Sequence, residues 1–596
     1  MAGTYASALV VLLAAAGTGQ AVFLICGRRD WSWLAPPVGL GVLCAVSWGL
    51  LNLTGDPLPA VVALVALAAG GGLVLARERA AIGPAFRVAL AALALASLPF
   101  VVEGRFGILG TSLNPDMSQH LFAADRLANG GVERLISEGY PLGPHAVAAA
   151  LDRLGPSLVQ AFGGLTLAIT VVTALTPLAL LRDLRPARLV LGALLVGFAY
   201  MAASYLIQGA FKETLQALLV LAFAVGLHEL AAGRLGGRAP KERWRLLCAV
   251  PLAALAVGSV YAYSFPGLAW LIGALGLWAV VELLVARGLQ PLRAAFVPGA
   301  VAVAAAVVAV VPELGRVLDF AEFETFDPDG EGLGNLFNAI SPLEALGVWP
   351  SGDFRLDPGA GFAPTAAFWL GGMLALAAMA YGVAWWVRRD ERAVPAALAA
   401  AGLLYLYPLV AGTPYQEAKA IVIAAPLAML IAVRPLLADL PSLPDLLDRT
   451  APAPRRDRAV GLLAVAFMGS AAACSVLALG NGPVGPTEWG PGLIELRASG
   501  KLGPGGEDGH DTLVLAPEEQ LVDAHGRDLY LWELRGGRVC AGVTGSDLPE
   551  AGIENIVEYD DGRVFPHGFQ IALRGAPEQA CPFIADGDRA APSEPD

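Results

Sequence analysis

One polar stretch of this otherwise apolar chain gathers several side chains capable of chemistry. In NPDMSQHLFAADRLANGG, residues 114–131, Asp116, His120, Asp125 and Arg126 follow directly after an apolar run. Asn114-Pro115 holds the chain extended and predicts a helix start at Pro115 or Asp116. An acid at that point can cap the helix or sit in its dipole. It can equally serve as a general base, because a carboxylate takes the proton of an attacking hydroxyl. His120 lies one turn further along the same face. Met117, Leu121, Ala124 and Leu127 form an apolar stripe, so the helix is expected at the membrane surface with its polar face toward a cavity. EGYPLGPHAVAAALDRLG (138–155) repeats the theme. Its proline-broken entry, Tyr140-Pro141 and Gly143-Pro144, leads to a second short helix beginning near His145.

Two further polar groups stand at predicted helix starts. Lys212 and Glu213 open the apolar run in YLIQGAFKETLQALLVL, and Tyr415, Glu417 and Lys419 open GTPYQEAKAIVIAAP. Such charges can simply snorkel to the interface. A cation in a first turn opposes the helix dipole, however, so Lys212 is expected to have an anionic partner. Together the two starts could hold a phosphate or pyrophosphate headgroup. The acidic loop RVLDFAEFETFDPDGEG offers Asp327, Asp329 and Glu331 in an order resembling a cation-binding turn, though solvated acids explain them as well. No cofactor is required by any motif, and a divalent cation is left open. There is no P-loop, no Cys/His metal spacing, no GxSxG and no dinucleotide fingerprint in a strand–helix setting.

The elements that must position these residues are membrane helices. The chain has 596 residues, of which 56% are hydrophobic and 15% charged, well below the roughly 25% charged residues of a soluble domain. Fourteen spans are predicted: 4–26, 33–53, 58–76, 84–102, 158–181, 186–206, 210–231, 246–263, 266–286, 296–315, 363–387, 394–412, 418–437 and 459–480. The first lacks the basic leader of a signal peptide and reads as retained. Arginines crowd alternate connections, from Arg28 and Arg29 through Arg182, Arg185 and Arg188 to Arg388, Arg389 and Arg392. Cytoplasmic loops carry such an excess, so both termini and the loop 103–157 are expected outside. The remaining cytoplasmic loops are too short for a nucleotide-binding domain. Any activated group must then come from a gradient or a lipid-borne donor. The net charge of −13, with acids in long loops and tail, speaks against nucleic acid as a partner.

Residues 1–480 therefore form a transmembrane domain, and 483–596 a small extracytoplasmic α/β domain. In the latter DTLVLAP, RVCAGV and IENIVEYD read as strands, GRDLYLWELRGG as a helix, and the final dozen residues as disordered. Cys540 and Cys581, both in this domain, are expected to form a disulfide outside the cytoplasm. Cys26, Cys44, Cys248 and Cys474 fall in apolar runs as packed thiols. Heavy use of Ala, Gly and Arg points to a bacterial plasma membrane as the setting.

The acid-bearing outer loop after the run 84–102, with the outer FKE and YQEAKAI segments, resembles the GT-C superfamily of membrane glycosyltransferases. The resemblance covers residues 84–440. It implies an all-α polytopic core and inverting sugar transfer from a polyprenyl-phosphate donor to an envelope glycan, lipid or protein acceptor. Asp116 matches the family's loop acid, the general base, with His120 beside it. Arg126, His145, Lys212, Glu213, Tyr415, Glu417 and Lys419 are then candidates for binding the substrate or its lipid phosphate. Many members pair acids in this loop, whereas this chain has one Asp there. A transporter or flippase of envelope precursors is the competing class, and a non-catalytic envelope scaffold the third. Transporters favour midplane charges, broken helices and internal repeats; here the charges sit at helix ends and no repeat is evident.

Overall fold

The computed structural model describes residues 1–110, 116–129, 139–235, 246–322, 332–440 and 455–485, together with five strands of the tail. Among these residues eleven helices are long and apolar enough to cross a membrane, or twelve counting one bent pair. The protein is a polytopic helical membrane protein. Three regions account for the difference from fourteen. Residues 84–102 break into α4 (Arg79–Ala96) and α5 (Leu98–Val102), leaving a shorter apolar helix at Gly83–Ala96. The run 186–206 is the bent pair, α10 (Pro186–Gly197) and α11 (Tyr200–Ile207), with 57° between its halves.

The third is α13, Val250–Ala286, whose 37 residues are counted as one span. A straight helix of that length would measure about 55 Å, far beyond a hydrocarbon core of about 30 Å. It is not straight. Ser264 has φ 58° and ψ −158°, and Pro266 follows two residues later. A side chain at Gly267 would collide with Ser259, so the chain folds back on itself in a helical hairpin. Gln216, on α12 (Phe211–Ala231), staples the two limbs. It accepts from Ser259 Oγ at 2.7 Å and donates to the Gly267 carbonyl at 3.0 Å.

The helix starts carry legible signals. α8 (Leu158–Leu175) begins with a Ser157–Gln160 capping box, and α18 (Pro414–Asp439) with Thr413–Gln416 followed by proline. α2 (Ala35–Thr54) has proline in its first turn and ends at Gly55 with φ 66°.

Connections sort to two ends of the bundle. At one end Tyr5 of α1 (Ala2–Ile25) donates to Ser97 Oγ at 2.9 Å. There the Gly485 N–H reaches the Ile108 carbonyl at 2.7 Å, and Tyr415 N–H reaches Gly332 O at 3.2 Å. Asn335 bonds Gln208 at 2.8 Å, and Phe265 at the hairpin tip meets Phe320. The start of α1 and the residues after α19 (Arg455–Gly480) share this end with the loop that carries the site. At the other end Arg28 donates to the Arg234 carbonyl, Arg188 to the Leu437 carbonyl, and Arg434 to Asp183. Among the described residues these arginine-bearing connections meet each other.

In the tail, β1 (Thr512–Ala516), β2 (Val539–Val543), β3 (Ile556–Glu558), β4 (Gln570–Ala572) and β5 (Phe583–Ala585) form one mixed sheet in the order β3-β4-β1-β2-β5. β1 and β2 pair in parallel; the other pairs are antiparallel. The helix predicted at 526–537 lies outside the described residues. Cys540 is on β2 opposite Ile584, and Cys581 lies outside the described residues.

Candidate functional site

α6 (Asp116–Ala128) starts where Asn114-Pro115 predicts, and α7 (Gly143–Asp152) where Gly143-Pro144 does. The α6 stripe of Met117, Leu121, Ala124 and Leu127 is buried against α7 and α8, and α7 is enclosed from Gly143 to Leu151. Close approach makes the α7 entry possible. A side chain at Gly143 would run into the Tyr261 carbonyl and Cys44, and Gly139, at φ 84°, passes against the backbone of Phe320.

These two helices bring the histidines together. His145 Nε2 stands 3.1 Å from His120 Nδ1, with the Tyr140, Phe162 and Phe211 rings packed around the pair. Burial, helped by His145 and by the charges of Lys212 and Lys419, keeps the His120 pKa well below the usual histidine value. Burial, helped by Arg316, pushes that of His145 down to about 3. Both rings are neutral at physiological pH.

Beside the histidines, the starts of α12 and α18 meet. Lys419 Nζ lies 3.4 Å from Glu213 Oε1 and 4.2 Å from the Tyr415 ring centroid. Lys212 Nζ sits 4.2 Å from the Tyr140 ring centroid. The Glu213 carboxylate lies in the field of both lysines. His120, His145, Lys212, Glu213, Tyr415 and Lys419 are thus one cluster built from α6, α7, α12 and α18.

Other candidates fall elsewhere. Glu417, two residues from Tyr415 and Lys419, turns to the opposite flank of α18, where Tyr405 donates to it at 3.1 Å. Arg126 is buried over the Phe122 ring at 4.8 Å. Within the cluster, His145 is 0% exposed. Asp116 is the first residue of α6, and its side chain lies outside the described part of the structure. Asp327, Asp329 and Glu331 also lie outside the described residues. Among the described residues no group of three or more His, Cys, Asp or Glu could hold a metal ion.

The sequence reading overlooked the residues that brace this cluster. Trp48 of α2 donates to Glu313 at 2.5 Å, and Arg316 lies 3.8 Å from the same carboxylate. Arg316 also donates to the Tyr140 carbonyl at 2.5 Å, fixing the residue whose ring lies beneath Lys212. Glu313 falls inside the span 296–315 that the sequence predicts. A carboxylate at the end of an apolar run was the available signal. Glu344, in a Ser341–Glu344 capping box, is likewise buried, and burial raises its carboxyl well above the ordinary range.

Fold and site together define a many-spanning α-helical membrane protein with a buried polar cluster at one end of its bundle. No family model matches the chain, and no curated protein matches it. One similar solved structure is the archaeal oligosaccharyltransferase AglB from Archaeoglobus fulgidus, in complex with an inhibitory peptide and a dolichol-phosphate. The identity is 14% and the TM-score 0.36, over 71% of this chain and 58% of that chain. The chain therefore matches little more than half that protein's length, a likeness too distant to assign a family.

Proposed function

We propose that the protein is a membrane glycosyltransferase. It would move a sugar from a polyprenyl-phosphate donor to an extracytoplasmic envelope acceptor, with inversion. The observation that carries this reading is the meeting of the α12 and α18 starts, with Lys212 and Lys419, beside the helix that opens at Asp116. Helix N-termini bearing lysines suit a phosphate, and their place at a bundle end suits one carried on a lipid. The alternation of arginine-rich and arginine-poor ends supports an extracytoplasmic position for this site and for both termini.

In this mechanism the acceptor oxygen bonds to the anomeric carbon as the carbon–oxygen bond to the lipid phosphate breaks. The bond's electrons leave with the phosphate, where Lys212 and Lys419 stabilise the charge. Asp116 takes the acceptor's proton. Asp116→Asn keeps the shape and can still cap a helix start, so the fold should survive. Its sugar transfer from radiolabelled polyprenyl-phosphate sugars should fall about 10²-fold or more. Full activity in the Asn variant removes Asp116 as base. Inactivity of the unaltered protein across several donors, with uptake or flipping of a labelled precursor, would favour the transporter.

A further inference from the structure

His145 is enclosed, yet its ring partner His120 retains some exposure. His145 is 0% exposed and His120 6%. With His120 Nδ1 engaged by His145 Nε2, the remaining His120 nitrogen, Nε2, is the polar atom of the pair left to meet a ligand. The far nitrogen of His145, Nδ1, is buried without a hydrogen-bond partner.

Two neutral imidazoles carry one N–H each, and only one of these can lie between the rings. The pair therefore has two arrangements. In the first, His145 donates from Nε2, His120 carries its proton on Nε2, and His145 Nδ1 is a bare lone pair. In the second, His120 donates from Nδ1, its Nε2 is bare, and His145 buries an N–H at Nδ1. The surroundings of His145 favour a lone pair there. It is the third residue of α7, inside the positive end of that helix, and the Arg316 charge acts on it. Lys212 and Lys419 act in the opposite sense on His120. Glu213 offsets them, and they stand at the end of the pair that solvent reaches, so the enclosed end decides.

We propose that His145 is a positioning residue that holds His120 as the Nε2–H tautomer, making its free nitrogen a neutral hydrogen-bond donor to an oxygen of the bound substrate. The inference rests on the functional reading above for the substrate alone. It leaves Asp116 as the proton acceptor and assigns His120 to orienting the sugar donor or the acceptor hydroxyl.

Nitrogen-15 spectra of histidine-labelled protein in lipid nanodiscs test it, with His120→Gln identifying the His120 signals. The unaltered protein should show His120 and His145 both protonated at Nε2 and bare at Nδ1. His145→Phe keeps a ring in the aromatic cage and removes the donor. His120 should then show a mixture of tautomers, and kcat for sugar transfer should fall about tenfold with KM little changed. A His120 protonated at Nδ1 in the unaltered protein overturns the proposal, as does an unchanged His120 signal in folded His145→Phe. If that variant does not fold, the spectrum of the unaltered protein decides alone. The tautomer is read without substrate, so an absence of sugar transfer sinks the functional reading while this assignment is still judged by the spectrum.

Discussion

The two ends of the bundle hold charge in different ways. At the arginine-rich end two carboxylates reach water: Asp183 and Asp390, paired with Arg434 and Arg392, are 60% and 78% exposed, while Glu229, paired with the half-exposed Arg234, is buried. At the other end Glu213 is 5% and Lys419 18% exposed, and two neutral histidines are packed beside them. Exposed pairs contribute little to stability, typically about 0–1 kcal/mol. A buried pair costs solvation on forming, and breaking it strands a charge. The arginine-rich end is thus suited to setting orientation in the bilayer. The other end spends stability on an arrangement of polar groups, which is the pattern of a site.

Removing one partner should expose this difference most strongly. Glu213→Ala removes the buried carboxylate that Lys419 faces, and the loss should be about 3–5 kcal/mol, read as a lowered unfolding midpoint in detergent. A loss below about 1 kcal/mol would make the pair no different from those at the far end.

Acid sharpens the same contrast at the histidines. Their folded pKa values lie below the unfolded value of about 6.5, so the unfolded chain binds the extra protons. Their contribution is present above pH 6.5 and is lost as pH falls below it, for His145 toward about 3. Melting temperature should drop across that window, at up to about 1.4 kcal/mol per histidine for each pH unit, and more gently in His145→Phe. Parallel profiles for the two proteins would mean that His145 is not held neutral by burial.

The smallest effect belongs to the far end. Loss of the Arg434–Asp183 pair in Arg434→Ala should itself cost no more than about 1 kcal/mol, because Asp183 is already solvated, with any further loss coming from the packing of Arg434 over Trp385. Its expected consequence is in the sidedness of insertion, measured by cysteine accessibility from each face.

Much of this was readable in sequence because it rests on local rules. The starts of α6, α7 and α18 follow from proline and capping residues, and the sorting of connections follows from arginine counts. The boundary between the spans 246–263 and 266–286 falls at the hairpin, where Pro266 and Gly267 interrupt an apolar run. What escaped depends on contacts distant in sequence. Glu417 and Lys419 are two residues apart and looked equivalent, yet the helix turns them to different flanks, one toward Tyr405 and the other toward Glu213. Trp48, Glu313 and Arg316 form a brace only once α2 and the end of α14 (Gln290–Val310) are side by side. The bend between α10 and α11 lies in an apolar run with no proline at the break, so composition offered no warning.

The hairpin of α13 also constrains how the protein enters the bilayer. Its limbs are joined at Ser264 with no hydrophilic connector, so neither can settle in lipid while the other waits in water. They must leave the insertion machinery as a pair. Gln216 is synthesised earlier, and until Ser259 and Gly267 arrive its amide lacks the partners that satisfy it in the finished fold. An unpaired amide in hydrocarbon costs several kcal/mol. Helix α12 therefore has reason to linger at the translocation channel until the hairpin closes, which makes assembly of this region a concerted event during synthesis.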